Sequence, residues 1–309
     1  MSAQHLHPQL LQLEKTFSNS TVQFIEKPKP STISLYIKRD DLLHPIISGN
    51  KWRKLKYILN HALTLGCTHL VSMGGPWSNH LHALAFLGQE LGIRTTGLIR
   101  GEPSPTPSPS LRDMAHWGMR LEFVNRNEFR NLRQYHHWDD PPGRQRQAYW
   151  IGEGGHSKYA LQGLAEILTE VESNFNYLAV PCGTGTTLAG LLPHLPQKCH
   201  VLGFAALKNA SFLADDISSL LRKSGYNEEE LMGRCNLQLD FHFGGFARIR
   251  PELLSFMDGF EADTGIRLDP VYTGKMMAGI YALAANQKFT PGTSILALHS
   301  GGLQGCRLF

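Results

Sequence analysis

Val180-Pro-Cys-Gly-Thr-Gly-Thr-Thr-Leu-Ala-Gly190 is the stretch from which the rest of the chain can be read. An apolar run ending at Val180 gives way to a turn of glycines and threonines, and then to residues that favour a helix. The segment is therefore a strand, a turn and a helix in succession. Backbone donors and three threonine hydroxyls converge at such a turn where a phosphate would sit. The lysine of a Walker A loop is missing and the glycines do not fit Gly-x-Gly-x-x-Gly. A single phosphate monoester suits the turn better than a nucleoside triphosphate or a dinucleotide.

The same alternation extends in both directions. Apolar runs of strand length at 34–37, 70–72, 96–99, 121–124, 177–180, 201–204 and 295–298 are separated by amphipathic stretches at 51–65, 79–91, 110–117, 161–172, 187–192, 210–223, 251–264 and 272–286. This pattern builds parallel sheets with helices on both faces, so an α/β fold is expected. Ser110-Leu-Arg-Asp113 has the form of a capping box. Residues 126–146, with clustered arginines and a Pro-Pro pair, match neither periodicity and read as a solvated connection in preference to a functional lid.

With 309 residues, 42% hydrophobic and 18% charged, the chain buries a large core and is too apolar to be disordered. Thirty basic against 26 acidic side chains leave a charge of +4, spread without a basic and aromatic run, so nucleic acid is not an expected partner. Five widely spaced cysteines with no Cys-x-x-Cys pair disfavour a disulfide framework or a zinc knuckle and suit a reducing compartment. The longest apolar stretch, 276–285, is about half the ~20 residues of a membrane span. A cytoplasmic protein without metal or membrane is expected.

Four further segments can carry chemistry. In Ser48-Gly49-Asn50-Lys51-Trp52-Arg53-Lys54 a glycine turn opens a helix, and Lys51 can project from its first turn into a cleft. A lysine forms Schiff bases when its amine is partly neutral, which burial or cationic neighbours favour. From this motif alone, a solvated basic helix start is the commoner reading. Ser72-Met-Gly-Gly-Pro-Trp-Ser-Asn-His80 places Ser78, Asn79 and His80 at a helix N-terminus, where a carboxylate is well received; ordinary capping is the alternative. Tyr272 in Asp269-Pro-Val-Tyr-Thr-Gly-Lys275 and Ser300 in His299-Ser-Gly-Gly302 fall at strand ends, where open α/β sheets hold ligands.

In this order, the five segments resemble the fold-type II pyridoxal-phosphate (PLP) enzymes, specifically the family of D-cysteine desulfhydrase and 1-aminocyclopropane-1-carboxylate (ACC) deaminase. The resemblance runs from about residue 37 to 302 and includes Lys38-Arg-Asp-Asp41, Gly49-Asn-Lys51, Gly74-Gly75, Gly183-Thr-Gly-Thr-Thr187, Leu268-Asp-Pro-Val-Tyr-Thr-Gly-Lys275 and His299-Ser-Gly-Gly302. It implies two open twisted sheets flanked by helices, with a large PLP domain from residues 1–52 and 151–309 and a smaller inserted α/β domain at 53–150. It further implies that Lys51 holds PLP and moves the substrate's Cα proton, that Asn79 bonds the cofactor's phenolic oxygen, and that Gly183, Thr184, Gly185, Thr186 and Thr187 bind its phosphate. Ser78, Asn79 and His80 would receive the carboxylate of a small amino-acid substrate, Ser78 and Tyr272 would serve catalysis, and Ser300 would face the pyridine nitrogen.

ACC deaminases look like Asp-Pro-Val-Tyr-Glu-Gly-Lys and His-Leu-Gly-Gly where this chain has Thr273 and Ser300, similar to the desulfhydrase pattern. A neutral hydroxyl leaves the pyridine nitrogen less protonated, which favours β-elimination. One departure is Phe243-Gly-Gly-Phe-Ala-Arg-Ile-Arg-Pro251, where the family usually carries a second tyrosine. The leading expectation is β-elimination from D-cysteine by a homodimer; ACC deamination and a non-catalytic PLP-fold binder are the alternatives. Lys51 and not Lys54 is expected to carry the cofactor, the helix turning the two side chains apart.

Overall fold

A computed structural model describes residues 6–26, 33–135, 137–139, 148–172 and 174–308. Its strands are β1 (Val22–Ile25), β2 (Ile33–Lys38), β3 (His69–Gly74), β4 (Arg94–Arg100), β5 (Arg120–Val124), β6 (Tyr149–Ile151), β7 (Tyr177–Cys182), β8 (His200–Ala205), β9 (Cys235–Gln238) and β10 (Thr293–Leu298). The helices are α1 (Pro8–Glu14), α2 (Asn50–Thr64), α3 (Asn79–Leu91), α4 (Pro109–His116), α5 (Arg126–Leu132), α6 (Lys158–Thr169), α7 (Thr186–Leu191), α8 (Leu213–Lys223), α9 (Glu228–Met232), α10 (Pro251–Thr264) and α11 (Thr273–Ala285). All seven strands read from apolar runs are present, and so are the eight helices. The segment expected as one helix at 210–223 begins as a 3-10 turn over Ala210–Phe212.

The strands form a six-stranded sheet in the order β1-β2-β10-β7-β8-β9 and a four-stranded sheet in the order β5-β4-β3-β6. All pairs are parallel except β1 with β2. Parallel strands place their C-terminal ends on one side. The segments after β2, β7 and β10 therefore meet at one edge of the larger sheet, and those after β3, β4, β5 and β6 at one edge of the smaller. Every candidate residue named above lies in or just beyond one of these segments or at the start of α11.

Helix α2 connects the two sheets. Its apolar residues Trp52, Leu55, Ile58, Leu59 and Ala62 recur at helical spacing and are all buried. It lies so close to α6 that a Cβ at Gly163 would fall 2.0 Å from the carbonyl oxygen of Arg53, which leaves room only for glycine. Charges reinforce the contact. Arg53 donates to Asp40 at 3.2 and 3.3 Å and to Glu170 at 2.5 and 2.6 Å, while Lys38 donates to Glu170 at 2.6 Å. The buried arginine thus joins α2 to the end of β2 and the end of α6, two residues from Lys51.

Two local readings are corrected. Helix α4 is capped by Ser108, whose hydroxyl accepts from the Leu111 N–H at 3.1 Å; Ser110 lies inside the helix, because Pro109 takes the first helical position. Residues 126–132 are not a connection but helix α5, capped by Asn125. The expectation over 126–146 otherwise falls partly on 136 and 140–147, outside the described residues. All five cysteines are free. No helix among the described residues is long and apolar enough to cross a membrane.

Candidate active site

One cavity of about 550 Å³ lies where the strand ends converge. It brings together Lys51, Ser78, Asn79, His80, Gly183, Thr184, Gly185, Thr187, Tyr272 and Ser300 from five separated segments. Thr186 does not line it: its side chain is buried, and its hydroxyl pairs with that of Thr184 at 3.0 Å.

Lys51 owes its position to Gly49. That glycine has φ +65, and a Cβ there would fall 1.9 Å from the Ser300 carbonyl oxygen, so only glycine lets the start of α2 touch the segment after β10. Asn50 then ties the lysine to the phosphate-type turn. Its Oδ1 accepts a short hydrogen bond from Lys51 Nζ, and its Nδ2 donates to Thr187 Oγ1 at 2.8 Å. With its oxygen accepting from Asn50, the Thr187 hydroxyl keeps a proton to donate to a ligand.

The Lys51 side chain is half-buried and opens onto the cavity. Burial lowers its pKa to about 8, against an opposing pull from the Asp269 carboxylate. Lys54 lines the same cavity, which corrects the expectation that the helix turns it away. Three residues advance the helix 300°, which leaves the two side chains only about 60° apart on one face. Burial, and then the charge of Lys51, holds the Lys54 amine well below the usual lysine range. Its hydrogen bond is to the Gly154 carbonyl at 3.3 Å.

His80 is buried too, and its pKa is lowered to about 3 by burial and by the neighbouring charges of Lys54 and Lys51. Its Nε2 is 2.9 Å from Ser72 Oγ, whereas its Nδ1 has no partner among the described residues. The Ser78 hydroxyl caps α3 by accepting from the Leu81 N–H at 3.2 Å. Asn79 Oδ1 accepts from Gln304 Nε2 at 2.8 Å, which leaves its NH₂ to donate to an acceptor such as a phenolate oxygen.

Tyr272 is held by Asp269, a buried residue with a role that sequence motifs did not reveal. Asp269 Oδ1 accepts from the N–H groups of Val271 and Tyr272 at 3.0 and 2.7 Å, and Oδ2 accepts from Thr273 Oγ1 at 2.6 Å. The Thr273 hydroxyl is thereby committed to the turn and does not line the cavity. Burial, with Asp269 and Glu153 nearby, keeps the Tyr272 phenol protonated well above its ordinary range. Where a second tyrosine was expected to be missing, Phe246 lines the cavity edge-on to Tyr272, with ring centroids 6.1 Å apart. The Phe246 loop is pinned by Lys275 Nζ, which donates to the Gly245 carbonyl at 2.7 Å.

A pyridoxal phosphate fits this set of groups. Two buried lysines with weakened charge stand beside threonine hydroxyls, and the strongest reason for an anion between them is Lys54, which has no carboxylate against it among the described residues. A phosphate at Thr184 and Thr187 would supply that counter-charge. Asn79 offers donors to a phenolic oxygen, and Ser300 offers a neutral hydroxyl. The sequence reading gave no role to Asn50, Phe246 or Asp269 and turned Lys54 away from the cavity, because contacts between distant segments decide what these residues do.

Comparison with known proteins agrees with this set. Residues 22–301 match the family described as pyridoxal-phosphate dependent enzyme. A Pyrococcus horikoshii protein, provisionally named a 1-aminocyclopropane-1-carboxylate deaminase, is 31% identical over 284 residues, covering 88% of this chain and 85% of its own length. The Arabidopsis thaliana bifunctional D-cysteine desulfhydrase/1-aminocyclopropane-1-carboxylate deaminase, a mitochondrial protein, is 28% identical over 89% of this chain and 74% of its own length. The crystal structure of an ACC deaminase homologue superposes with a TM-score of 0.77 at 26% identity, covering 97% of this chain and 96% of that one.

Proposed function

The chain belongs to the pyridoxal-phosphate-dependent enzyme family, within its ACC deaminase and D-cysteine desulfhydrase group, and we propose that it catalyses β-elimination from D-cysteine, yielding pyruvate, ammonia and sulfide. One observation carries the choice of elimination over ring opening. Among the described residues, Glu153 is the only carboxylate lining the cavity, and Arg133 holds it at 2.7 Å. Ser300 lines the cavity with a neutral hydroxyl, and no carboxylate among the described lining residues is free to take its place beside a pyridine nitrogen.

Pyridoxal phosphate, when bound, draws electrons from the substrate's Cα and makes its proton acidic. The protein's own groups then divide the work. Lys51, with a pKa near 8, offers a neutral amine in an appreciable fraction of molecules at neutral pH and can take the Cα proton. The N–H groups at the start of α3 receive the substrate carboxylate, with Ser78 and Asn79 beside them. Tyr272 stays protonated and can donate to a departing sulfur, and the adjacent Phe246 adds no second hydroxyl. The buried, protonated phenol is poorly suited to act as a nucleophile on an unactivated cyclopropane.

The name of the Pyrococcus horikoshii relative favours the second reading, deamination of ACC, whereas the Arabidopsis thaliana relative is named for both activities. The test is a release assay on the holoenzyme with D-cysteine and ACC side by side. Pyruvate and sulfide from D-cysteine, with at most a trace of 2-oxobutyrate from ACC, are expected; robust 2-oxobutyrate with no reaction of D-cysteine would overturn the proposal. Borohydride reduction and peptide mapping should find the cofactor on Lys51 and not Lys54. The two sheets support a division into a cofactor-binding unit of residues 1–52 and 151–309 and an inserted unit of 53–150, with the two cuts falling inside α2 and β6. Five free cysteines support a reducing compartment such as the cytoplasm, and a homodimer is the assembly we propose.

A further inference from the structure

One wall of the cavity is built from arginines, and it reaches the phosphate-type turn through Glu153 and Gly154, since Arg133 holds Glu153 at 2.7 Å and a Cβ at Gly154 would fall 3.0 Å from the Thr184 side chain. Arg126, Phe129 and Arg130 lie on one face of α5 and line the cavity, as does Arg133 at the helix end. Arg100, at the end of β4, lines it as well, with its guanidinium 5.4 Å from the centre of the Phe129 ring. Against these four cations stands the single carboxylate of Glu153, already bound by Arg133. Asp216 raises the Glu153 pKa from α8 without lining the cavity. The side chains of Arg100, Arg126 and Arg130 make no hydrogen bond or ion pair with any described residue, although the charge of Arg100 acts on Glu153.

This arrangement opposes local stability. Like charges one helical turn apart repel, and a cation in the first turn of a helix meets the positive end of its dipole. Arg126 incurs both effects on α5, while Arg130, in the last turn, shares only the repulsion; both face a cavity that already holds two lysines. Local conflicts of this kind are expected where a ligand resolves them. The position narrows which ligand. A Cβ at Gly75 would stand 3.7 Å from Arg100 Nη2, so the arginine wall begins at the loop that leads to Ser78, Asn79 and His80.

We propose that Arg100, Arg126 and Arg130 form a subsite for a second anionic group, so that the preferred substrate is a small amino acid whose side chain ends in a carboxylate, sulfonate or phosphate ester. This rests on the reading of the cavity as a PLP site that grips an amino acid by its α-carboxylate. An amino acid held there turns its side chain towards Arg100 and α5, and planar guanidinium groups suit such oxyanions. D-cysteine, with no second anion, is then a reactive but weakly held member of the substrate class.

The test is a spectral titration of the holoenzyme with matched pairs in both hands: aspartate against asparagine, cysteate against serine, and O-phosphoserine against serine. The binding constant is read from the cofactor's visible band whether or not turnover follows. The anionic member of at least one pair should bind about tenfold more tightly, a modest figure because these arginines are partly in water. Which pair discriminates most identifies the anion. Arg126→Gln and Arg130→Gln should each shrink that ratio, with the loss falling on the anionic member, and added salt should shrink it further in the parent.

Equal binding within every pair would overturn the proposal, as would variants that weaken both members alike, since the arginines would then serve the α-carboxylate or the cofactor. Pyruvate release from D-cysteine is measured in parallel. If D-cysteine reacts and no pair discriminates, only the anionic subsite is wrong; if pairs discriminate and D-cysteine is inert, only the elimination reading is wrong.

Discussion

The weakened charge of Lys51 should be visible without any cofactor. In the apoprotein its pKa is lowered from 10.5 to about 8 by burial. At pH 7 an amine with a pKa of 8 is neutral in ~9% of molecules, against ~0.03% for one at 10.5, a ratio of about 300. Only the neutral amine reacts with aldehydes, so reductive methylation with formaldehyde reads this fraction. Peptide mass spectrometry follows each lysine separately, with the exposed Lys15 and Lys223 as internal references. Restricted access slows Lys51 at every pH equally, so the informative quantity is where its rate stops rising. That bend should fall near pH 8.

Two variants sharpen the test. Burial, and then the charge of Lys51, lowers the Lys54 pKa. Lys51→Met should therefore move the Lys54 bend upward. Lys54→Met should leave the Lys51 bend near pH 8, because burial and the Asp269 carboxylate, not Lys54, set the Lys51 amine. A Lys51 profile that runs parallel to Lys15 and Lys223 would refute the reasoning, since it would mean that the cavity does not desolvate the amine.

Arg53→Met removes the cation between Asp40 and Glu170. Leaving the buried Asp40 with Lys38 and the Ser20 hydroxyl should cost about 3 kcal/mol in urea unfolding; the figure lies at the low end for broken buried pairs because the Glu170 half is partly exposed and screened. His80 titrates near 3 when folded and near 6.5 when unfolded, so the unfolded chain binds the extra proton between these values and stability is lost as pH falls through them. His80→Asn should lessen that loss by about 1.4 kcal/mol per pH unit over the window, read from unfolding curves of parent and variant. Thr184→Val, facing the cavity, should weaken PLP binding on the order of tenfold or more in equilibrium dialysis. Thr186→Val should do less, because that hydroxyl acts only through Thr184.

Much of this molecule is legible in the order of its residues, because strand and helix periodicities are local properties. The runs at 79–91 and 251–264 coincide with α3 and α10, and the strand-turn-helix at Val180 to Gly190 is β7 followed by α7. The short strands β1, β6 and β9 escape this reading. They have three or four residues each, too few to show a period, and they exist because a neighbouring strand offers hydrogen bonds.

The site divides along the same line. Lys51, Asn79, Tyr272 and Ser300 stand in recognisable motifs, and parallel strands bring motifs at strand ends to one place. Which neighbours join them depends on packing. Asp269 holds Tyr272 through backbone N–H groups, and Asn50 connects Lys51 with Thr187 across 137 residues of chain. The arginines of α5 look like an ordinary solvated run in sequence. Only the folded chain shows that Arg126, Arg130 and Arg133 share a face and that this face meets the cavity, because electrostatic function depends on distance in space and a sequence records distance along the chain.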